Sequence, residues 1–158
     1  MKANEKLVTA LNQLLADELT AISQYMVHSE MCDHWGYEKL HKAIESHAKD
    51  EMHHAEWLIR RTIFVEGTPV ISKLNPIKIG QTVLDMVGND QEAELAAVGA
   101  YNQAIGLARE TADQATADLL LQILKMEEGH ADWAMQRAQI EQMGLQNYLA
   151  NQTTGAAS

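Results

Sequence analysis

The sequence predicts an all-α protein, a four-helix bundle of two antiparallel hairpins with a long crossover between them and a short fifth helix. Two observations predict this fold. Apolar residues recur at three- and four-residue spacing over four segments of about 30 residues each. Both prolines, Pro69 and Pro76, fall in one segment between the second and the third. Residues 1–158 are expected to form a single domain, with the bundle at about 5–143.

The first hairpin consists of a helix from about Glu5 to His34 and a second helix from near Tyr37 to about Phe64. Because the break at Gly36 is short, the two helices should be antiparallel neighbours. Each helix has one stripe that should face the bundle. The stripes are Leu7, Leu11, Leu14, Glu18, Ala21 and Tyr25 in the first helix, and Leu40, Ile44, His47, Glu51, His54 and Leu58 in the second.

The second hairpin has helices at roughly Val83 to Arg109 and Gln114 to Met143, with a tight break around Ala112. The loop from Glu66 to Gln81 can span ~50 Å when extended, enough to return the chain along a whole helix. The stripes are Leu84, Val87, Glu94, Val98, Tyr101 and Ile105, then Leu120, Leu124, Glu127, His130 and Ala134.

The C-terminal segment follows Gly144, a residue type suited to ending a helix. An amphipathic piece at about 145–151 predicts the short fifth helix. The polar tail at about 153–158 is expected to be disordered.

Two Glu-x-x-His pairs, Glu51 with His54 and Glu127 with His130, carry the main chemical signal. Three-residue spacing on a helix puts carboxylate and imidazole on one face, about one turn apart. A further glutamate lies 33 positions before each pair, namely Glu18 and Glu94. The pattern predicts a doubled metal site.

The doubling extends beyond these residues, because a shift of 76 positions superposes the two halves. Such a repeat indicates two helical hairpins related by a pseudo-twofold axis, with a shared site on the axis. The shift relates Glu18, Leu19, Ala21 and Tyr25 to Glu94, Leu95, Ala97 and Tyr101, and Glu51, His54, Ala55 and Trp57 to Glu127, His130, Ala131 and Trp133.

The six candidate ligands should also lie at one depth in the bundle. Glu18 is 18 positions before Gly36, while Glu51 and His54 are 15 and 18 positions after it. The second hairpin repeats these separations about Ala112. Antiparallel partners equally far from their turn lie side by side, so the spacing predicts a single binuclear site in mid-bundle.

Four buried carboxylates cannot be neutralised by two histidines, but two divalent ions balance their charge. Oxygen and imidazole ligands without thiolate favour iron or manganese over a structural zinc site. Any one of these glutamates alone could be an exposed helix carboxylate; the matched set favours a redox metal site. The residues leave open iron oxidation for storage, substrate oxidation, and disposal of peroxide or superoxide.

The composition excludes several other classes. A formal charge of −10 argues against nucleic acid as a partner. The single cysteine, Cys32, excludes a disulfide framework or a Cys-rich metal site and fits a reducing cytosol. No stretch approaches ~20 apolar residues, so we expect a cytoplasmic protein with no membrane segment.

From Leu11 to about Leu149 the chain resembles bacterioferritin, the haem-containing branch of the ferritins. The resemblance rests on the stretches NQLLADELTAISQY, EMHHAEWLIRRTIFVEG, EEGHADW and MGLQNYL. It implies a ferritin-like bundle with ferroxidase activity, in which two Fe²⁺ are oxidised by O₂ or peroxide and ferric mineral is stored in a homo-oligomeric shell of roughly 24 subunits. It implies the ligands Glu18, Glu51, His54, Glu94, Glu127 and His130, with Glu51 and Glu127 bridging.

Met52 follows a candidate ligand and therefore points about 100° away from it, toward another face of the helix. That face should form an apolar strip buried by a twofold partner. The resemblance implies Met52 as axial ligand of a b-type haem shared by two subunits, serving iron release with an electron-donor protein. Glu45 and Met26 replace aromatics usual near the haem. The strip comprises Leu19, Ile22, Met26, Ala48, Ala55 and Ile59.

Tyr25 and Tyr101 each lie seven residues after a candidate ligand, two turns along the same stripe. We expect both hydroxyls to bond ligand carboxylates, because buried phenols need partners and such carboxylates need orienting. Ordinary aromatic packing is the alternative.

The alternative function is a stand-alone binuclear oxidase or peroxidase of the rubrerythrin type. Such a protein would normally carry a Cys-x-x-Cys module, which a chain with one cysteine lacks. A purely structural bundle is a third possibility, but it leaves the ligands unexplained.

Overall fold

The computed structural model describes residue 2 and residues 4–154. These residues form helices and no strand, as the sequence predicts. Within them, no helix is both long enough and apolar enough to cross a bilayer. The helices are α1 (Glu5–His34), α2 (Glu38–Phe64), α3 (Val83–Glu110), α4 (Gln114–Ala134), α5 (Gln136–Met143) and α6 (Leu145–Ala150).

Side chains cap three of the four long helices at their N-termini. Asn4 accepts a hydrogen bond from the Lys6 amide at the start of α1. Thr82 and Asp85 form a reciprocal capping box at the start of α3. Asp113 accepts from the Thr116 amide at the start of α4. Each bond satisfies an N–H group that the helix itself leaves without a partner.

The two tight turns preserve the 76-residue repeat. Gly36 after α1 has φ +83° and Ala112 after α3 has φ +58°, so related positions both adopt the left-handed conformation. For alanine this conformation costs roughly 1–2 kcal/mol. The turn places α3 and α4 antiparallel, and their packing offsets this cost.

The predicted fourth helix is interrupted, which differs from our expectation of one helix to Met143. The Met135 amide bonds the carbonyl of Asp132, and the Ala138 amide bonds that of Met135, each three residues back. These tighter bonds replace the four-residue pattern and divide the segment into α4 and α5. α5 also packs against α3.

The main packing is pairwise, α1 with α2 and α3 with α4, and the two hairpins meet chiefly along α1 and α3. The apolar core has two parts, one on each side of a polar layer. One part centres on Leu11, Leu58 and Leu120, and the other on Ile44 and Met86.

The crossover runs along α1 through regularly spaced hydrogen bonds. Asn12 contacts Thr68 and Val70, and Thr20 accepts from the amide of Asn75. Gln24 then accepts from the amide of Lys78, and His28 from the amide of Gly80. The loop therefore returns the chain along the first helix, as predicted from its length.

His28 and Asp90 tie the end of this crossover to the core. His28 is fully buried, its Nδ1 lies 2.9 Å from Asp90 Oδ1, and its Nε2 accepts from the Gly80 amide at 2.9 Å. The N–H on Nδ1 therefore donates to the carboxylate. Gly80 has no room for a side chain, because a Cβ would lie 2.4 Å from the Met86 nitrogen.

The short fifth helix is present as α6, ending one residue earlier than predicted. Thr153 donates to the carbonyl of Ala150 and Thr154 to Glu38. The rest of the tail expected to be disordered, residues 155–158, lies outside the described residues.

We predict that His28→Ala lowers the free energy of unfolding by about 1–3 kcal/mol, because the Gly80 amide and the Asp90 carboxylate lose a buried partner. Urea unfolding of the metal-free protein measures the change. His34→Ala, at an exposed position near the end of α1, is the control. Equal stability of the two variants would contradict the role of His28.

Candidate metal centre

The polar layer between the two apolar clusters consists of four glutamates and two histidines. α1 and α3 each contribute one glutamate, and α2 and α4 each contribute one Glu-x-x-His pair. All six residues are at most 6 % exposed. They are Glu18, Glu51, His54, Glu94, Glu127 and His130, so the structure brings all six predicted ligands together.

The six side chains form two overlapping groups, each able to offer four ligand atoms within 4.8 Å of one another. Glu18 and His54 belong to the first group, and Glu94 and His130 to the second. Glu51 and Glu127 belong to both. The arrangement suits two ions that share two carboxylates.

Both imidazoles face the carboxylates with Nδ1. His54 Nδ1 lies 2.8 Å from Glu51 Oε2 and 2.8 Å from Glu127 Oε1. His130 Nδ1 lies 2.9 Å from Glu51 Oε1 and 3.7 Å from Glu127 Oε2. Glu51 thus accepts from one histidine at each of its oxygens.

The glutamates differ in their affinity for protons. Burial, and then the charge of Glu51, raises the pKa of Glu18 well above its usual range and that of Glu94 to about 10. Burial alone would raise the pKa of Glu51 as well, but hydrogen bonds from His130 and His54 hold it well below its usual range.

The histidines are held in the charged form by the same carboxylates. Burial alone would lower both pKa values. Contacts with Glu127, Glu18 and Glu51 instead raise the pKa of His54 to about 12. Contacts with Glu127 and Glu51 raise that of His130 to about 11. Protons in this layer therefore balance the carboxylate charge in the absence of a metal ion.

One buried atom of the layer has no hydrogen bond within the described residues, Glu127 Oε1. It lies 2.8 Å from His54 Nδ1, but the single N–H there points to Glu51 Oε2 at the same distance. The charged imidazole of His54 thus stabilises this oxygen without a hydrogen bond, and a metal ion in its place would bind the oxygen directly. The donor set thus fits two divalent ions of the iron or manganese type.

Two tyrosine hydroxyls connect the hairpins by hydrogen bonds to glutamates of this layer. Tyr25 on α1 donates to Glu94 on α3, and Tyr101 on α3 donates to Glu18 on α1. The hydroxyl contacts expected from the sequence are therefore confirmed. Each tyrosine lies in the hairpin opposite to the glutamate that it bonds.

Sequence reasoning missed the groups behind the imidazoles. His130 Nε2 lies 3.1 Å from Asp50 Oδ2, and His54 Nε2 lies 3.4 Å from Met126 Sδ. His47 stacks on His130 with ring centroids 4.4 Å apart. The 76-residue shift relates Asp50 to Met126, but only the packing of α2 against α4 shows that each contacts the histidine of the opposite hairpin.

A cavity of about 250 Å³ reaches the layer between α1, α3 and the crossover. Glu18, Glu51, Glu94 and Glu127 are among its lining residues, together with Lys78 of the crossover. The glutamates can therefore be reached from the surface by a small ion or molecule.

Met52 lies outside this layer, on the surface of α2. It is 54 % exposed, and Met26 of α1 is 56 % exposed. Of the expected apolar strip, Ala48 and Ala55 are already buried within the chain, while Leu19, Ile22 and Ile59 are half-buried. The methionines therefore form the open part of the strip.

Two helical hairpins with a long crossover and a mid-bundle layer of four glutamates and two histidines define the class of ferritin-like carboxylate proteins. The match to the family model described as a ferritin-like domain covers residues 8–155. The chain belongs to the ferritin family.

Its relatives include proteins named as bacterial ferritins and as bacterioferritins. A bacterial ferritin of Synechocystis sp. is 40 % identical over 96 % of this chain and 99 % of its own length. Bacterioferritins of Streptomyces coelicolor and Mycolicibacterium paratuberculosis are 36 % and 34 % identical, each over 95 % of this chain and over 90 % and 95 % of their own lengths. The resemblance to bacterioferritin is confirmed.

We predict that divalent ions displace protons from this layer. Glu18, Glu94, His54 and His130 have raised pKa values and hold protons at pH 7. Each must lose one proton to bind a metal ion, so the affinity should increase as the pH rises from about 6 to 9. Calorimetric Zn²⁺ titrations in two buffers of different ionisation enthalpy count the protons.

Glu94→Gln is the control, since glutamine has no proton to lose and the count should fall by about one. A binding enthalpy that is the same in both buffers would contradict proton displacement.

Proposed function

We propose that the protein stores and detoxifies iron, oxidising Fe²⁺ with O₂ or peroxide at the mid-bundle site and retaining the ferric product. The observation that carries the proposal is the pair of overlapping ligand groups, which share Glu51 and Glu127. The family relationship supports storage as the outcome.

The six side chains would provide the ligands for two Fe²⁺ ions, which are the substrates. Glu18 and His54 would hold one ion, and Glu94 and His130 would hold the other. Glu51 and Glu127 belong to both ligand groups and would be shared by the two ions. Four carboxylates carry the charge that two divalent ions neutralise, so a loaded site contains no net charge from these groups.

The electron balance follows from the pair of ions. Each Fe²⁺ loses one electron, and the two electrons reduce O₂ with two protons to peroxide, or peroxide with two protons to two waters. The protons that this reduction consumes come from solvent, which also takes up the protons that the ligands release when metal ions bind. Tyr25 and Tyr101 orient the carboxylates of Glu94 and Glu18 by hydrogen bonds from the opposite hairpin.

Storage requires an enclosed volume, which we propose is a homo-oligomeric shell of roughly 24 subunits in the cytoplasm. Exposed apolar side chains such as Ile63, Phe64 and Ile71, each at least 60 % exposed, suit contacts between subunits. An electron-donor protein is the proposed partner for iron release.

We predict that Glu18→Ala and Glu127→Ala each abolish the fast oxidation of two Fe²⁺ per subunit. Each removes one of the four balancing charges, while removal of a buried carboxylate leaves the helices intact. Stopped-flow absorbance after mixing with O₂, with circular dichroism of both variants, measures the two effects. Glu128→Ala, at the exposed neighbouring position, is the control.

Unchanged fast kinetics in both variants would contradict the assignment. Gel filtration addresses storage separately: a very large particle is expected, whereas a monomer or dimer would favour a stand-alone oxidase or peroxidase.

We also propose that Met52 binds haem at a twofold contact between subunits. Its thioether is exposed on α2, next to the small side chains of Ala48 and Ala55, so a flat ligand can approach it. A thioether is an established axial ligand of haem iron. Met52 from each of two subunits would hold one b-type haem, which supplies electron transfer for iron release.

We predict that haem added to the protein gives a low-spin spectrum that Met52→Leu loses, because leucine has no sulfur to bind the iron. Fe²⁺ oxidation should persist in this variant. Met135→Leu, at a methionine that is 57 % exposed after α4, is the control. A low-spin spectrum unaffected by Met52→Leu would show that another residue binds the haem.

A further inference from the structure

The metal layer follows the 76-residue repeat in its ligands and in the phenols that brace them. Glu18 and Glu94 accept from Tyr101 and Tyr25, which are themselves related by the shift. The repeat is not followed at the other ring nitrogen of each histidine, Nε2, which faces away from the four glutamates.

Asp50 and Met126 occupy equivalent positions, each directly before the shared glutamate of its hairpin. Each also reaches across to the histidine of the opposite hairpin. Asp50 Oδ2 lies 3.1 Å from His130 Nε2, and Met126 Sδ lies 3.4 Å from His54 Nε2. The geometry is pseudo-symmetric, but one partner is a carboxylate and the other a thioether.

The two partners act differently on a ligating imidazole. A histidine that binds an ion through Nδ1 carries its proton on Nε2 and donates it outward. The Asp50 carboxylate accepts a hydrogen bond from that N–H and carries a negative charge, which fixes the ring and makes Nδ1 of His130 a stronger donor to metal. The sulfur of Met126 is a weak acceptor and carries no charge.

A second difference, ring stacking, also favours His130 over His54 as a metal ligand. The His130 ring is stacked by His47 at 4.4 Å, with an interplanar angle of 27°. The position equivalent to His47 is Ile123, an apolar residue of the core. The His130 ring is therefore restrained on its face as well as at its outer nitrogen, which favours a preformed ligand.

We propose that the two halves of the site bind divalent ions with unequal affinity, and that Asp50 and Met126 set the difference. The half containing Glu94 and His130 fills first, and the half containing Glu18 and His54 fills at higher concentration. Asp50 and Met126 are positioning residues, since they act through the imidazoles. The inference rests on the proposed binuclear site.

The expected ratio of the two dissociation constants is about tenfold. Loss of an outer partner of a ligating histidine typically weakens metal binding about 10–100-fold. The Asp50 side chain is 36 % exposed, and solvent weakens its hydrogen bond, so the low end of that range applies. Fast oxidation needs both ions, so the weaker half would set the Fe²⁺ concentration at which it begins.

The test uses Co²⁺, which binds such ligands without being oxidised by the site. Crystals of the full-length protein are grown with about one Co²⁺ per chain, and anomalous scattering gives the occupancy of each half. We expect most Co²⁺ in the half with His130. Calorimetric titration of the same protein should show two unequal steps.

Paired variants test the cause. Asp50→Ala should weaken the His130 half about tenfold and bring the two occupancies close together. Met126→Asp should strengthen the His54 half by a similar factor. Met126→Leu is the matched control and should leave the occupancy ratio unchanged, and Asp50→Glu should restore most of the difference that Asp50→Ala removes.

Equal occupancy of the two halves in the unmodified protein would overturn the inference and leave the binuclear site standing. An occupancy ratio that Asp50→Ala and Met126→Asp both leave unchanged would show that other groups cause the difference. Binding of fewer than two Co²⁺ at saturation would overturn the proposed function itself, and the inference with it.

Discussion

Four carboxylates buried in one layer of the bundle are the constraint on which the rest of this structure depends. An isolated charge in a core is costly, and four of one sign at these distances cannot all remain ionised without compensation. The histidines and phenols compensate in part, and Glu127 Oε1 is left without a donor among the described residues. Protons balance the carboxylate charge in the absence of metal, and two divalent ions could replace them, so this layer has the composition of a metal site.

The layer also joins the two hairpins. Tyr25 and Tyr101 each reach the glutamate of the other hairpin, and His130 of α4 bonds Glu51 and Asp50 of α2. α2 and α4 otherwise meet little, because the direct packing between hairpins runs mainly along α1 and α3. An ion held by Glu51 and Glu127 would connect α2 and α4 directly, so we expect metal binding to be coupled to the alignment of the hairpins.

Much of this could be predicted from the sequence, because the helices are long, strongly periodic and bounded by clear turn residues. The first helix was predicted with both of its ends, and the others to within a residue or two, except at Met135. That break has no Pro or Gly to signal it and depends on a change in backbone hydrogen bonding.

The attachment of the crossover was also missed, although α1 places polar side chains four or eight residues apart along one side, namely Asn12, Thr20, Gln24 and His28. Such a stripe is equally typical of a solvated face, and only the position of the loop distinguishes the two.

The partners of the outer imidazole nitrogens were missed for a different reason. Asp50 and Met126 each precede a glutamate ligand, and helical geometry turns a neighbouring residue about 100° away from it. A single helix therefore places them off the ligand stripe, and only the packing of α2 against α4 brings each to the opposite histidine. The six candidate ligand positions match in the two hairpins, but the positions directly before Glu51 and Glu127 do not. A carboxylate and a thioether can both fill that place, and the pseudo-symmetric site can acquire two chemically different halves without loss of the fold.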